Sequence, residues 1–196
     1  MPTILITGFG PFPGAPVNPT EDLVRALARE RLPRIKIAAH VFRTSYAAVD
    51  IEFPRLLRRH EPQALLMFGL AAPTPHLRIE TWARNSLSPL QDIAGAVPAS
   101  RSIAPGRAPR LPLPTLPRTL LAAAQRACVP AAISEDAGDY LCNYLCWQAT
   151  LAARRSPGAQ LAAFIHVPEN LPAADLTRAG RAFLNTIAPR LSRNRS

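Results

Sequence analysis

Three largely apolar runs, separated by helical segments, constrain the fold of this chain most strongly. The runs cover residues 3–7, 64–69 and 159–165, and residues 35–42 form a further predicted strand. Strands with apolar residues on both faces are typical of a sheet that is covered by helices on both sides. Because predicted strands and helices alternate along the chain, we expect a three-layer α/β/α sandwich with a largely parallel, mixed central sheet.

The length of 196 residues predicts a single domain that spans the whole chain. Residues 77–84 form a further predicted strand, and Pro54 predicts a kink or a break in the helix that starts near Tyr46. Residues 85–117 are rich in proline and predict a long loop or mobile flap, in which short strands could be hidden. Residues 190–196 predict a frayed tail after the last helix.

The formal net charge of +10 invites a comparison with nucleic-acid-binding proteins. Lys36 is the only lysine, and the other 22 of the 23 basic residues are arginines. These arginines are scattered, with no dense basic run and few interleaved aromatic residues. We therefore expect no nucleic-acid partner.

The chain also lacks the signals of membrane or secreted proteins. No apolar run is long enough to cross a bilayer, and the N-terminus lacks a basic segment followed by a long apolar core. Three cysteines do not make a disulfide framework. We expect no membrane association and a cytoplasmic location.

Residues 134–147 combine a polar turn at Gly138 with a cysteine at the start of a predicted helix. The helical pattern begins near Tyr140 and continues to about Arg155, which places Cys142 in the first turn. Free backbone N–H groups and the positive end of the helix dipole favour a thiolate at such a position. Cys142 is therefore a candidate nucleophile, provided that a base lies nearby.

His166 and Glu80 are the candidate partners of this cysteine. His166 directly follows an apolar run, at the sheet edge where α/β folds bind ligands, and could act as the base. The alternative is an ordinary hydrogen-bonded histidine at a strand end. Glu80 lies in an otherwise half-buried strand and needs a partner. That partner is either Arg78 or Arg84, or else His166, which Glu80 would hold in one tautomer.

The loop Gly8-Phe-Gly-Pro-Phe-Pro-Gly14 follows the first apolar run. Its spacing fits neither the dinucleotide-binding fingerprint nor the P-loop, and its prolines remove N–H groups that a phosphate would need. We expect Phe9 and Phe12 to form a small apolar pocket. The alternative is a rigid turn with both rings in the core.

A metal site at Cys142, Cys146 and His166 would have only three ligands, which is a weak case. The two cysteines also lack the Cys-x-x-Cys spacing of redox proteins. We expect Cys146 and Cys128 to be buried apolar side chains, with no metal and no organic cofactor.

Four segments in chain order carry a family resemblance. They are Thr7-Gly-Phe-x-Pro-Phe-x-Gly14 with Asn18-Pro-Thr20, Glu80-Thr-Trp-Ala-Arg-Asn85, Ser134-x-x-Ala-Gly-x-Tyr-Leu-Cys-Asn143 and Phe164-Ile-His-Val-Pro168. They resemble the signatures of the pyrrolidone-carboxylate peptidases (pyroglutamyl peptidase I). The cysteine and histidine segments are specific, whereas the second segment only loosely matches the family's Glu-Arg-Val-Ala-x-Asn.

The resemblance implies a cysteine peptidase that removes an N-terminal pyroglutamyl residue from peptides through a thioester acyl-enzyme. By motif, Cys142 would be the nucleophile, His166 the base and Glu80 the group that orients the base. The resemblance also implies a homotetramer. The implied substrate pocket has walls formed by Phe9, Phe12, Tyr140 and Leu141.

Two loops depart from the family pattern. The family often has Gly-Gln-Ala-Gly-Gly-Arg after the third strand, where this chain has Gly69-Leu-Ala-Ala-Pro-Thr74. The segment after Asn85 also lacks the family's usual Asp-Ala-Arg-Ile-Pro-Asp. The alternative hypothesis is therefore a weak or inactive member of the same fold that binds a small molecule or peptide.

Overall fold

Strands and helices alternate along most of the chain. The computed structural model describes residues 1–71, 74–154 and 159–193. The strands in these residues are β1 (Thr3–Phe9), β2 (Lys36–Phe42), β3 (Ala64–Leu70), β4 (Leu77–Glu80), β5 (Trp82–Arg84), β6 (Arg110–Pro112), β7 (Ala131–Ser134) and β8 (Leu161–Val167). The helices are α1 (Pro19–Leu27), α2 (Tyr46–His60), α3 (Pro117–Arg126), α4 (Leu141–Ala153) and α5 (Ala173–Arg193).

Six strands form the central sheet, in the order β2-β1-β3-β8-β4-β7. The first four of these are mutually parallel. β4 runs antiparallel to β8 and parallel to the edge strand β7. The expected mixed, largely parallel sheet is confirmed. The carboxyl ends of β1, β3 and β8 lie at one edge of this sheet, which is where ligands bind in α/β folds.

Separate apolar cores cover the two faces of the sheet. One face packs against α1, α3 and α5, and its buried side chains include Ile6, Phe68 and Ile165. The other face packs against α2 and α4 and includes Met67 and Phe164. Alternate residues of each strand thus enter opposite cores, which explains the continuous apolar runs. The three-layer α/β/α architecture predicted from the sequence is confirmed.

The predicted strand at residues 77–84 is divided in two. β4 belongs to the central sheet, whereas β5 pairs with β6 in a separate two-stranded antiparallel sheet. At Thr81, between the two strands, the backbone N–H donates to Ser134 and the carbonyl accepts from Leu113. These bonds let the chain leave the central sheet without losing backbone hydrogen bonds.

α2 continues through Pro54 to His60, so of the predicted kink or break, the break does not occur. The helix has a strong start, because the Ser45 side chain accepts a hydrogen bond from the backbone N–H of Ala48 at 3.2 Å. It ends at Glu61, whose left-handed backbone has a φ of 42°. Caps at both ends and a buried apolar face outweigh the hydrogen bond that proline removes.

The proline-rich segment 85–117 contains the strand β6 and is anchored by its own hydrogen bonds. Asn85 Nδ2 donates to the carbonyl oxygen of Ala104, and Asn85 Oδ1 accepts from the backbone N–H of Ala104, each at 2.8 Å. Asp92 Oδ1 accepts from the backbone N–H groups of Ala94 and Ala96. These hydrogen bonds hold parts of the segment against one another.

At the C-terminus, α5 extends to Arg193, so residues 190–193 of the predicted tail are helical. The rest of that tail, residues 194–196, lies outside the described residues. Within the part of the chain that the structure describes, no helix is both long and apolar enough to cross a membrane.

Candidate active site

Glu80 and His166 lie side by side on the face of the sheet that packs against α4. Arg78 is paired with His166 in the register of β4 and β8, and Glu80 is paired with Phe164. Glu80 is therefore a diagonal neighbour of His166, which is close enough for a side-chain contact. His166 Nδ1 donates to Glu80 Oε1 at 2.8 Å, and both side chains are buried.

The position of His166 differs slightly from the prediction. It is the penultimate residue of β8 rather than the residue after the strand. The ladder with β3 continues past it, since Gly69 is paired with His166 and Leu70 with Val167. Backbone pairing on both sides of His166 therefore fixes its imidazole rigidly. With Nδ1 bound to Glu80, Nε2 is left for a second partner.

Two of the three partners proposed for Glu80 from the sequence contact the same oxygen. Arg78 Nε lies 3.2 Å from Glu80 Oε1, the atom that also accepts the hydrogen bond from His166. Arg84 instead forms an ion pair with Asp136 at 3.0 Å. Among the described residues, Glu80 Oε2 is buried without a hydrogen-bond partner. Oε1 of Glu80 therefore makes both the contact with Arg78 and the hydrogen bond with His166.

Cys142 is the second residue of α4. Tyr140 caps the helix without a side-chain hydrogen bond, and the first backbone bond of the helix runs from the N–H of Tyr144 to the carbonyl of Tyr140. The N–H groups of Leu141, Cys142 and Asn143 are therefore free of helical partners. They can stabilise negative charge on the sulfur or on a bound oxygen atom.

The electrostatic surroundings of His166 favour its protonated form. Burial lowers the pKa of His166, but the charge of Cys142 and hydrogen bonds to Cys142 and Glu80 outweigh burial and raise it to about 9. The imidazole can therefore hold a proton at neutral pH and donate it to a neighbouring group.

The other two cysteines differ from each other. Cys146 is buried, as expected, and burial raises the pKa of its thiol well above the usual value. Cys128 is exposed, so the prediction of a buried side chain was wrong for this residue. It follows the end of α3 at a left-handed backbone position with a φ of 54°, which turns the chain towards β7. Among the residues that the structure describes, no group of three or more His, Cys, Asp or Glu side chains could hold a metal ion.

A cavity of about 290 Å³ opens beside the sulfur and the imidazole. Its volume is at the lower end of the range for small-molecule sites, so it suits a group of about one small ring. The rings of Phe12 and Tyr140 lie 6.4 Å apart at the wall of the cavity. The residues singled out from the sequence share this lining, namely Phe9, Phe12, Tyr140, Leu141, Cys142 and His166.

The segment Asn18-Pro-Thr20 holds the pocket wall in place. Thr20 Oγ1 accepts from the backbone N–H of Phe9 at 3.0 Å and donates to the Phe9 carbonyl at 2.9 Å. Asn18 caps α1 through Thr20 and also donates to the carbonyl of Gly10 at 3.0 Å. The helix start predicted from the sequence is therefore also the support of the aromatic wall.

Gly69 is a site residue whose role sequence reasoning missed. A Cβ atom at this position would lie 2.5 Å from Cys142 Sγ and 2.7 Å from the ring of Phe164. Both distances are far below van der Waals contact. Because Gly69 has no side chain, the sulfur of Cys142 can occupy the space beside the end of β3. A glycine at a strand end was visible in the sequence, but the sulfur opposite it was not.

Asn143 is a second residue that was missed. Its buried side chain accepts from the backbone N–H of Arg84 at 2.7 Å and donates to the carbonyl groups of Arg84 and Ser86. It thereby ties the start of α4 to β5 and the residues after it. The neighbouring Cys142 is held at a fixed distance from the strands as a result.

Residues 2–184 match the sequence profile of the family described as pyroglutamyl peptidase. The match extends over nearly the whole chain and includes all the residues that converge on the cavity. The chain belongs to the pyroglutamyl peptidase family. The sequence-based identification of a pyroglutamyl peptidase I-like enzyme is thereby confirmed at the level of the family.

Individual pyroglutamyl peptidase relatives agree with this assignment. The pyrrolidone-carboxylate peptidase of Deinococcus radiodurans is 32% identical, and the match covers 98% of this chain and 97% of the relative. The solved pyrrolidone carboxyl peptidase of Thermococcus litoralis superimposes with a TM-score of 0.91 at 26% identity, over 100% of this chain and 97% of that chain. Pyroglutamyl peptidase I of Bacillus amyloliquefaciens shares the fold, with a TM-score of 0.88 at 22% identity over 97% of this chain and 98% of that chain.

Proposed function

We propose that this enzyme hydrolyses the bond after an N-terminal pyroglutamyl residue of peptides, with Cys142 as nucleophile, His166 as base and Glu80 as the orienting carboxylate. The observation that carries the proposal is the hydrogen bond between Glu80 and His166, beside an aromatic-walled cavity that His166 and Cys142 line together.

In the acylation step, the Cys142 thiolate attacks the carbonyl carbon between the pyroglutamyl residue and the next residue. The carbonyl π electrons move onto oxygen, and the free N–H groups at the start of α4 stabilise the oxyanion. When the tetrahedral adduct collapses, the C–N bond breaks, and protonated His166 gives its proton to the leaving amine. The product is a thioester on Cys142 and a free peptide amine.

Deacylation uses the same groups in reverse. Neutral His166 accepts a proton from water as the water oxygen attacks the thioester carbonyl. The C–S bond breaks, pyroglutamate leaves as the free acid, and the sulfur leaves as thiolate beside the newly formed imidazolium. Glu80 holds the Nδ1 proton throughout and stabilises the positive charge on the ring.

The cavity explains why such a substrate would fit. A pyroglutamyl ring is small, flat and uncharged, so apolar walls from Phe9, Phe12, Tyr140 and Leu141 can bury it without leaving a charge unpaired. A free, charged N-terminal amine would have to lose its hydration in the same space. The apolar part of the lining thus suits an uncharged, cyclised N-terminus.

The test is release of a chromophore from a pyroglutamyl amide, with wild type compared with Cys142→Ser. We expect hydrolysis by wild type and none above background by the variant, since a neutral hydroxyl beside His166 is a far weaker nucleophile. Cys128→Ser is the matched control and is expected to keep wild-type activity, because Cys128 is exposed and not part of the cavity lining.

The alternative function, a binding protein of the same fold, predicts a different result. A well-folded wild type that binds a pyroglutamyl peptide but releases no product would exclude the peptidase. The altered loops at 69–74 and after Asn85 are the reason to run a binding measurement beside the kinetic one.

We further propose a homotetramer in the cytoplasm. The tetramer rests on the family resemblance, and light scattering after size-exclusion chromatography tests it. The cytoplasmic location is supported by three free cysteines, one of them the proposed nucleophile, since an oxidising compartment would endanger the thiol. Fractionation of the native cells tests the location.

A further inference from the structure

Arg78 lies where the proposed catalytic groups meet, although the mechanism above gives it no role. It is paired with His166 across β4 and β8, and it lines the cavity together with His166 and Cys142. Its side chain is only 24% exposed. A partly buried arginine beside a catalytic carboxylate needs a physical explanation, because desolvating the cation is costly.

The guanidinium group of Arg78 bridges two parts of the site. Nε forms an ion pair with Glu80 Oε1 at 3.2 Å, the oxygen that also accepts from His166, and donates its hydrogen bond to Ser134 Oγ at 3.2 Å. A second guanidinium nitrogen donates to Ser134 Oγ at 2.8 Å and to the backbone carbonyl of Asp136. One rigid planar group therefore contacts both the carboxylate and the segment 134–140.

The segment 134–140 leads directly from β7 to the N-terminus of α4, in which Cys142 is the second residue. Within it, Ser134 Oγ accepts from the backbone N–H of Asp136, and Asp136 Oδ1 accepts from that of Gly138. The Arg78 contacts at Ser134 and Asp136 thus hold the base of a turn that ends at the nucleophile. Movement at this base would shift Cys142 relative to His166.

We propose that Arg78 is a positioning residue for hydrolysis, which ties Glu80 to the segment 134–140 and so keeps His166 aligned with Cys142. The inference rests on the proposed function for its kinetic consequence. It predicts that loss of Arg78 slows the chemical step while leaving substrate binding nearly intact, because the pyroglutamyl ring is uncharged and the aromatic wall is unchanged.

Arg84 provides a matched control. Its guanidinium group also holds the segment 134–140, through the side chain of Asp136 at 3.0 Å, but its side chain is 49% exposed and it does not line the cavity. Arg84→Met therefore removes one cation and one contact to the same segment without touching Glu80. A general loosening of that segment would affect both arginine variants alike.

The experiment compares Arg78→Met, Arg78→Lys and Arg84→Met, with kcat and KM measured on a pyroglutamyl amide. For Arg78→Met we expect kcat to fall about tenfold with little change in KM, as for loss of the ion pair that holds a buried carboxylate in place. Arg78→Lys keeps a cation near Glu80 but lacks the planar fork, so its kcat should lie in between. Arg84→Met should stay within about twofold of wild type.

A second readout does not need the substrate. In a Cys128→Ser background, which removes the exposed thiol, the rate of Cys142 alkylation by iodoacetamide reports the reactivity of the Cys142–His166 pair. We expect this rate to fall in Arg78→Met and to remain near that of the background in Arg84→Met. If wild type hydrolyses no pyroglutamyl amide, the proposed function fails, but the alkylation rates still decide the role of Arg78.

Three results would overturn the inference. They are a folded Arg78→Met with wild-type kcat and alkylation rate, an equal loss in Arg84→Met, or an effect on KM alone. Thermal melting shows whether each variant folds. If Arg78→Met does not fold, the kcat of Arg78→Lys tests the inference instead. A wild-type kcat in that variant would overturn it, because it would show that the planar guanidinium group of Arg78 is not needed.

Discussion

At the residue scale, the candidate site depends on close contacts between side chains, one of which is possible only because Gly69 has no side chain. Gly69 leaves the space that Cys142 Sγ occupies, and the paired His166 presents its imidazole from the neighbouring strand. Glu80 reaches His166 only because β4 runs antiparallel to β8 with this register. A change of a few atoms at any of these positions should therefore affect the rate of hydrolysis more than the free energy of unfolding.

Gly69→Ala is expected to reduce kcat/KM by about 100-fold, because the new methyl group would displace the sulfur by about 1 Å. It would lie 2.5 Å from Cys142 Sγ. Chromophore release from a pyroglutamyl amide measures the loss. Gly10→Ala is the matched control, since a Cβ there would meet its nearest neighbour, the Phe42 carbonyl, at 3.6 Å. Equal activity of both variants would contradict the steric role of Gly69.

Glu80→Gln is expected to lower kcat by about 10- to 100-fold, because the imidazolium loses its charged partner. The pKa of His166, raised to about 9 partly by Glu80, should fall when the negative charge is removed. Because the proposed mechanism needs a protonated His166 to release the amine, activity at alkaline pH should then be lost at a lower pH than in wild type.

The measurement for Glu80→Gln is kcat against pH from neutral to alkaline. Glu52→Gln is its control, since Glu52 forms a comparable pair with His40 at 2.6 Å outside the cavity. The control should keep the wild-type profile. An unchanged alkaline limb in Glu80→Gln would argue that Glu80 does not set the charge on His166.

At the element scale, the start of α4 is positioned by its connections rather than by its own caps. Tyr140 gives the helix no side-chain cap, and Asn143 joins the first turn to β5 through three buried hydrogen bonds. Uncapped N–H groups would cost stability in an ordinary helix. Here they remain available at the proposed nucleophile, and the connections to β5 and to the segment 134–140 fix the helix instead.

Asn143→Ala is expected to lower the free energy of unfolding by about 2–4 kcal/mol, because backbone groups of Arg84 and Ser86 would be left buried without partners. Urea unfolding followed by circular dichroism measures this change. Asn185→Ala, at an exposed position of α5, is the control and should change stability by no more than about 0.5 kcal/mol. Similar losses in both variants would show that Asn143 is not a specific tie.

At the scale of the whole molecule, the net charge of +10 is distributed rather than focused. Arginines form ion pairs on separate elements, including Arg25 with Glu21 on α1 and Arg181 with Glu30 between α5 and the end of α1. Dispersed and partly paired cations give a weak field at any one surface. The net charge therefore gives no indication of what the enzyme acts on.

We accordingly expect the protein to elute from DNA-cellulose below about 0.15 M NaCl, since few phosphates can be contacted at once. A helix-turn-helix domain of similar net charge serves as the retained control. Retention of the wild type well above that salt concentration would contradict the expectation and would indicate a focused basic surface. The column should be run on the intact, active enzyme.

The sequence by itself determined the layers and the candidate chemistry. Apolar runs with both faces buried could only be accommodated between two layers of helices, and the motifs around Cys142 and His166 predicted the nucleophile and its base. These are local properties, because burial pattern and helix position follow from short stretches of chain. The strands predicted at 3–7, 35–42, 64–69 and 159–165 lie within a few residues of those observed, whereas the strand predicted at 77–84 is divided at Thr81.

Only the tertiary structure decided which groups share a contact. The contact between Glu80 and His166, beside the one between Glu80 and Arg78, depended on the direction and register of β4 beside β8, two strands that are far apart in sequence. The roles of Gly69 and Asn143 likewise depend on what faces them from another element. A strand's neighbour and register are set by long-range packing, which one segment of sequence does not contain. The structure turned a cysteine in a favourable position into a site with a defined geometry.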